Sequence, residues 1–62
     1  MFSENLKKAR KEAGFSQGDA AKELGIAPST YGNYEHTNRE PSYSTLKAIT
    51  KLFGVTADSL IK

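Results

Sequence analysis

The sequence predicts an all-α fold, a compact bundle of five short helices. Three observations lead there. Apolar residues recur at three- and four-residue intervals rather than in alternation. Helix-starting residues (Ser16, Pro28, Ser42 and Thr56) each precede such a stretch, and Gly14, Gly25 and Gly54 each follow one. Finally, 62 residues make one domain at most, spanning 1–62, and a chain this short buries only about 60% of its unfolded surface. Disulfides or a metal often compensate for so small a core. Here there is no Cys, and a single His cannot build a zinc site. A helical core with short loops is what remains.

The first helix is expected from about Ser3 to Ala13. Phe2, Leu6, Ala9 and Ala13 share one of its faces, and Glu4, Lys8 and Glu12 form i,i+4 pairs on the other. Gly14 supplies a left-handed stop. Ser16 starts the second helix, and Asp19, three residues on, can reach back in the manner of a capping box. Ala20, Ala21 and Leu24 form its buried face; the alanines let another helix come close. The third helix begins at Pro28, whose missing N–H has no partner to lose at a first helical position. It runs to Glu35 or His36. A polar loop, Thr37 to Glu40, leads to the fourth helix, with Ser42 as N-cap and Leu46, Ile49 and Phe53 as its apolar stripe. After Gly54, Val55 packs and Thr56 caps a last turn holding Leu60 and Ile61.

Composition narrows the function. Net charge is +2, compatible with nucleic acid without demanding it, so the placement of charge matters more than its total. With Lys7, Lys8, Arg10 and Lys11 near its start and no continuous apolar stretch there, no cleavable signal peptide is expected. No run reaches the roughly 18 apolar residues of a membrane span. The expectation is a cytoplasmic, nucleoid-associated protein of bacterial or phage origin. No nucleophile is paired with a base, and no glycine loop cradles a phosphate. An enzyme is not expected, nor is any cofactor or metal.

Gln17 to Glu35 carries the argument. Two helices of about eight residues joined at Gly25, Ile26 and Ala27 have the layout of a helix-turn-helix, whose second helix enters the major groove. At about 100° per residue, Pro28, Ser29, Gly32, Asn33 and His36 fall on one side of the third helix. All are small or polar. Ala27, Tyr31 and Tyr34 fall opposite, as core. A helix that reads bases needs small residues where DNA comes closest and hydrogen-bonding side chains beside them. Asn can bond adenine N6 and N7 together, and Ser can bond several base edges.

The chain resembles the phage-repressor and Cro type of lambda-repressor-like helix-turn-helix, also called the xenobiotic-response-element family. The residues that carry the likeness are Leu6, Arg10, Gly14, Ser16, Gln17, Ala21, Gly25, Ile26, Tyr34, Glu35, Arg39, Pro41, Leu46, Ile49, Val55 and Leu60. The resemblance implies roles. Ser16 and Gln17 open the helix that grips a phosphate, aided by the free N–H groups of its terminus. Ser29 and Asn33, with Pro28 and Gly32 beside them, match positions that face base edges. Asn38, Arg39, Ser42, Tyr43 and Ser44 match phosphate-contacting stretches. His36 fits either a phosphate contact or a plain helix end, and Tyr43 either a phosphate contact or simple exposure. Arg10 and Glu35 match a partly buried ion pair. The implied partner is a two-fold-symmetric double-stranded DNA operator, bound by a homodimer that acts as a repressor. The alternative is a protein-interaction module of the same fold, such as an antitoxin. That reading needs exposed apolar residues, for which Phe15 and Ile61 are the nearest candidates.

Four residues depart from the family pattern. Pro28 stands where a base-reading side chain is common. Gly32 replaces a commoner Ser and lowers helix propensity by roughly 1 kcal/mol. Thr37 stands where Gly is usual, so the left-handed position is expected to move to Asn38. Thr50 replaces a core Ala, and its hydroxyl is expected to bond back to its own helix.

Overall fold

A computed structural model describes residues 2–37 and 39–61. Among them are five helices and no strand: α1 (Phe2–Ala13), α2 (Gln17–Leu24), α3 (Pro28–His36), α4 (Tyr43–Phe53) and α5 (Ala57–Ile61). Each begins within a residue or two of its expected start. Ser16 accepts a hydrogen bond from the Asp19 N–H, Ser42 from the Thr45 N–H, and Thr56 from the Ser59 N–H. At Ser16 it is thus the backbone of Asp19 that makes the capping bond.

The turn between α2 and α3 follows from Gly25. Its φ of 72° is open to glycine at little steric cost. The Ile26 N–H then reaches back to the Ala21 carbonyl at 3.0 Å, and the Gly25 N–H to Lys22 at 3.1 Å. This pair of bonds satisfies carbonyls the helix would leave bare, and it aims the next apolar side chain inward. The same reach-back links Phe15 to Arg10 and Val55 to Thr50. Phe15, Ile26 and Val55 all pack against the core as a result. Phe15 also meets the Phe53 ring at 5.8 Å, so it is no exposed apolar candidate. α3 ends differently. Thr37 lies at φ −111°, outside the left-handed region, and its N–H and hydroxyl both bond the Asn33 carbonyl. Whether Asn38 takes the left-handed conformation falls outside the described residues.

The core draws Leu6 from α1, Ala20 and Ala21 from α2, Tyr31 from α3, Ile49 from α4 and Leu60 from α5, all essentially inaccessible. α2 packs on α3 and α4, and α1 packs on α3, α4 and α5. Asn5 ties α1 to α5 by donating to the Leu60 carbonyl at 3.0 Å. Two alanines expected in the core are exposed. Ala13 is the last residue of α1, and Ala27 is the extended N-cap of α3, so neither follows the periodicity of its helix. Thr50 bonds back to the Lys47 carbonyl at 2.7 Å and keeps its hydroxyl satisfied within α4.

Candidate nucleic-acid interface

The second and third helices form the helix-turn-helix, and α3 is anchored along one side only. Tyr31, Tyr34 and Glu35 are buried. The two tyrosine rings meet edge to face at 6.2 Å. Pro28, Ser29, Thr30, Asn33 and His36 are exposed, and Gly32 is half-buried. The sequence wheel omitted Thr30, which lies closer to the middle of the exposed face than Pro28 does. Its position beside Asn33 was the available signal.

Beneath this face sits the Arg10–Glu35 pair. Arg10 Nε is 2.7 Å from Glu35 Oε2, with only 9% and 0% of the two side chains accessible. Arg10 Nη2 approaches the other carboxylate oxygen at 3.3 Å, and Nη1 donates to the Phe15 carbonyl at 2.7 Å. The guanidinium therefore links α1, the α1–α2 turn and α3. Burial pushes the Glu35 carboxyl up, but hydrogen bonds from Arg10 and Gln17 and the Arg10 charge outweigh it, so the group stays below the usual carboxylate range. Burial raises the Tyr31 phenol well above its ordinary range. Its hydroxyl lies near enough to the pair to feel its charges, yet among the described residues it makes no hydrogen bond of good geometry.

The residues expected to touch phosphate are spread over three helices, with their caps, and one loop. Ser16 is exposed at the start of α2. Gln17 is half-buried, and its carboxamide turns inward: Nε2 donates to Glu35 Oε1 at 3.1 Å and lies 3.1 Å from His36 Nε2. On the other flank Thr30, Asn33, Arg39 and Ser42 share an open cleft of about 330 Å³. Beyond it, Ser42, Tyr43 and Ser44 are exposed at the start of α4, with the Ser42 and Ser44 hydroxyls 3.3 Å apart. Lys47 adds a cation that the sequence reading passed over. Its Nζ sits 5.7 Å from the centre of the Tyr43 ring, an i,i+4 relation visible in the sequence. Asn38 lies outside the described residues. Side-chain contacts thus join Gln17, at the start of α2, to Glu35 and His36 at the end of α3, while Asn33, Arg39 and Ser42 line one cleft without bonding one another.

Comparison with known proteins matches residues 6–60 to a family model described as Helix-turn-helix. Over its full 62 residues the chain is 47% identical to the uncharacterized HTH-type transcriptional regulator YqaE of Bacillus subtilis (strain 168), covering 53% of that protein. It is 38% identical over 60 residues (97% of the chain) to the HTH-type transcriptional regulator ImmR of the same organism, covering 47% of it. It is also 30% identical over 61 residues (98% of the chain) to the cryptic phage CTXphi transcriptional repressor RstR of Vibrio cholerae, covering 55%. The chain spans about half the length of the curated relatives it matches. With its five helices and its α2–turn–α3 unit, the chain belongs to the lambda-repressor-like helix-turn-helix family.

Proposed function

We propose that residues 1–62 form a unit that binds double-stranded operator DNA in a sequence-specific way, with α3 in the major groove, and that the protein acts as a transcriptional repressor in the cytoplasm. The observation that carries this is the face of α3. It is exposed, polar and narrow at Gly32, while Tyr31, Tyr34 and Glu35 hold the opposite side rigidly in the core. Ser29, Thr30 and Asn33 offer donors and acceptors to base edges, and Pro28 and Gly32 let the groove floor come close. Ser16, Gln17, His36, Arg39, Ser42, Tyr43, Ser44 and Asn38 take the phosphates. Their contacts fix register rather than sequence. The names of the relatives support regulation of transcription, and one is a repressor.

Two copies on a two-fold-symmetric site extend so small a footprint to a useful length. The competing interaction-module reading needs apolar side chains exposed on the presented face or elsewhere. Among the described residues the large exposed apolar ones are Tyr43 at 75% and Ile61 at 62%; Ile61 meets that need in α5, and neither lies on α3, the face presented to DNA. Selection from random duplexes tests the proposal. A short two-fold-symmetric motif is expected to be enriched, and the absence of any enriched motif at low salt contradicts it.

A further inference from the structure

The Gln17 carboxamide nitrogen sits between two acceptor positions, Glu35 Oε1 and His36 Nε2, each 3.1 Å away. An ionised carboxylate only accepts, so Glu35 fixes the amide with its NH2 group inward. The second N–H of that group then points at His36 Nε2. This contact is a hydrogen bond in the tautomer that leaves a lone pair on Nε2 and the proton on Nδ1. Both Gln17 side-chain donors are committed inside the protein. A phosphate oxygen also only accepts, so the Gln17 side chain cannot hold one while this contact stands.

We propose that His36 is a proton-operated latch on Gln17. A proton taken from solvent by Nε2 turns an acceptor into a donor, and the contact breaks. One Gln17 N–H is freed for a phosphate, and the imidazolium becomes a second cationic donor beside it. Glu35 keeps its own bond to the amide, so Gln17 stays aimed. This rests on reading Gln17 and His36 as phosphate contacts.

The surroundings suit the step. His36 is exposed and is the last residue of α3, where the helix carbonyls favour a cation. From α2 the neutral Gln17 amide faces it. Beyond the amide lie the Glu35 carboxylate and, from α1, the Arg10 guanidinium that the carboxylate neutralises. Among the described residues no carboxylate is within ion-pair distance of His36. The field of a DNA duplex adds a further attraction for the proton, so DNA binding and proton uptake are linked.

The test titrates a random-sequence duplex with the wild-type protein and with His36→Gln, at constant ionic strength, from about pH 8 to about pH 6. His36→Gln can still hydrogen-bond Gln17 but cannot titrate. Wild-type affinity is expected to rise about three- to tenfold on acidification, within the one-proton limit, while the variant stays nearly flat. Parallel rises in the two proteins overturn the latch and leave DNA binding standing. If neither protein binds duplex at low salt, the DNA reading fails, and a second measurement still judges the latch. In the free protein, the Gln17 side-chain NH2 resonances are expected to move with the His36 ring titration. If they stay fixed while the ring titrates, there is no latch.

Discussion

Arg10 and Glu35 show what a single residue pair does in a core this small. Each is nearly inaccessible, so removing one leaves the other charged and unpaired. Replacing either with a neutral residue is expected to destabilise folding by about 3 kcal/mol. Replacing both is expected to cost less than the sum, which a double-mutant cycle by urea unfolding measures; strict additivity contradicts the coupling. The pair also sets an acid limit. Glu35 titrates lower in the folded protein than in the unfolded chain. Its stabilisation is therefore fully present above the unfolded carboxyl pKa of about 4.3 and is lost as pH falls through the lower folded value. Urea midpoints of wild type and Glu35→Gln are expected to converge only below about pH 4.3; a constant gap down to the acid end contradicts this. Resemblance made the ion pair legible, through Arg10 and Glu35 themselves. The inward turn of Gln17 was not legible. It depends on where α2 places its first side chain against the end of α3, a long-range fact that no local pattern encodes.

The elements themselves were nearly all written locally. Ser16, Ser42 and Thr56 cap, Gly25 and Gly54 stop, and the helices lie between them. What local pattern could not supply was the fate of residues at helix ends. Ala13 and Ala27 fit the apolar wheel, yet they sit where the helix no longer faces a neighbour. Phe15 gave the opposite error: as a lone aromatic after Gly14 it had no periodicity to place it, and the reach-back bond to Arg10 turns it inward. α3 carries the most informative exception to helix propensity. A Cβ on Gly32 would meet nothing nearer than the His36 ring at 3.7 Å, an ordinary contact. Gly32→Ala is therefore expected to raise stability by up to about 1 kcal/mol in thermal or urea unfolding. If the groove floor approaches Gly32, the same variant binds operator DNA more weakly. A variant both more stable and equally tight contradicts close approach at this position.

Across the whole molecule, positive and negative charge nearly cancel, leaving a net +2, so the placement of the cations matters. The basic stretch Lys7 to Lys11 runs along α1, while the proposed DNA surface holds His36, Arg39 and Lys47 among many neutral donors. Binding should then rest on few phosphate contacts. With about two to three phosphates neutralised per subunit, log K is expected to fall against log salt with a slope of about −2 to −3 per subunit; a salt-independent affinity contradicts a phosphate-based interface. The surface also divides its labour between two amides. Gln17, at the start of α2, serves position, and Gln17→Ala should weaken binding to all duplexes alike. Asn33 stands on the exposed face of α3, one turn beyond Ser29, where it can reach a base edge. A two-bond contact of that kind discriminates by roughly 1–3 kcal/mol. The most direct measurement titrates Asn33→Ala against the selected operator, each of its single-base variants and random duplex. The prediction is lost affinity for the operator and a flattened preference at one base pair in each half-site, with affinity for random duplex nearly unchanged. A uniform loss across every sequence would contradict it, for Asn33 would then touch only backbone and α3 would dock at a different angle from the one proposed.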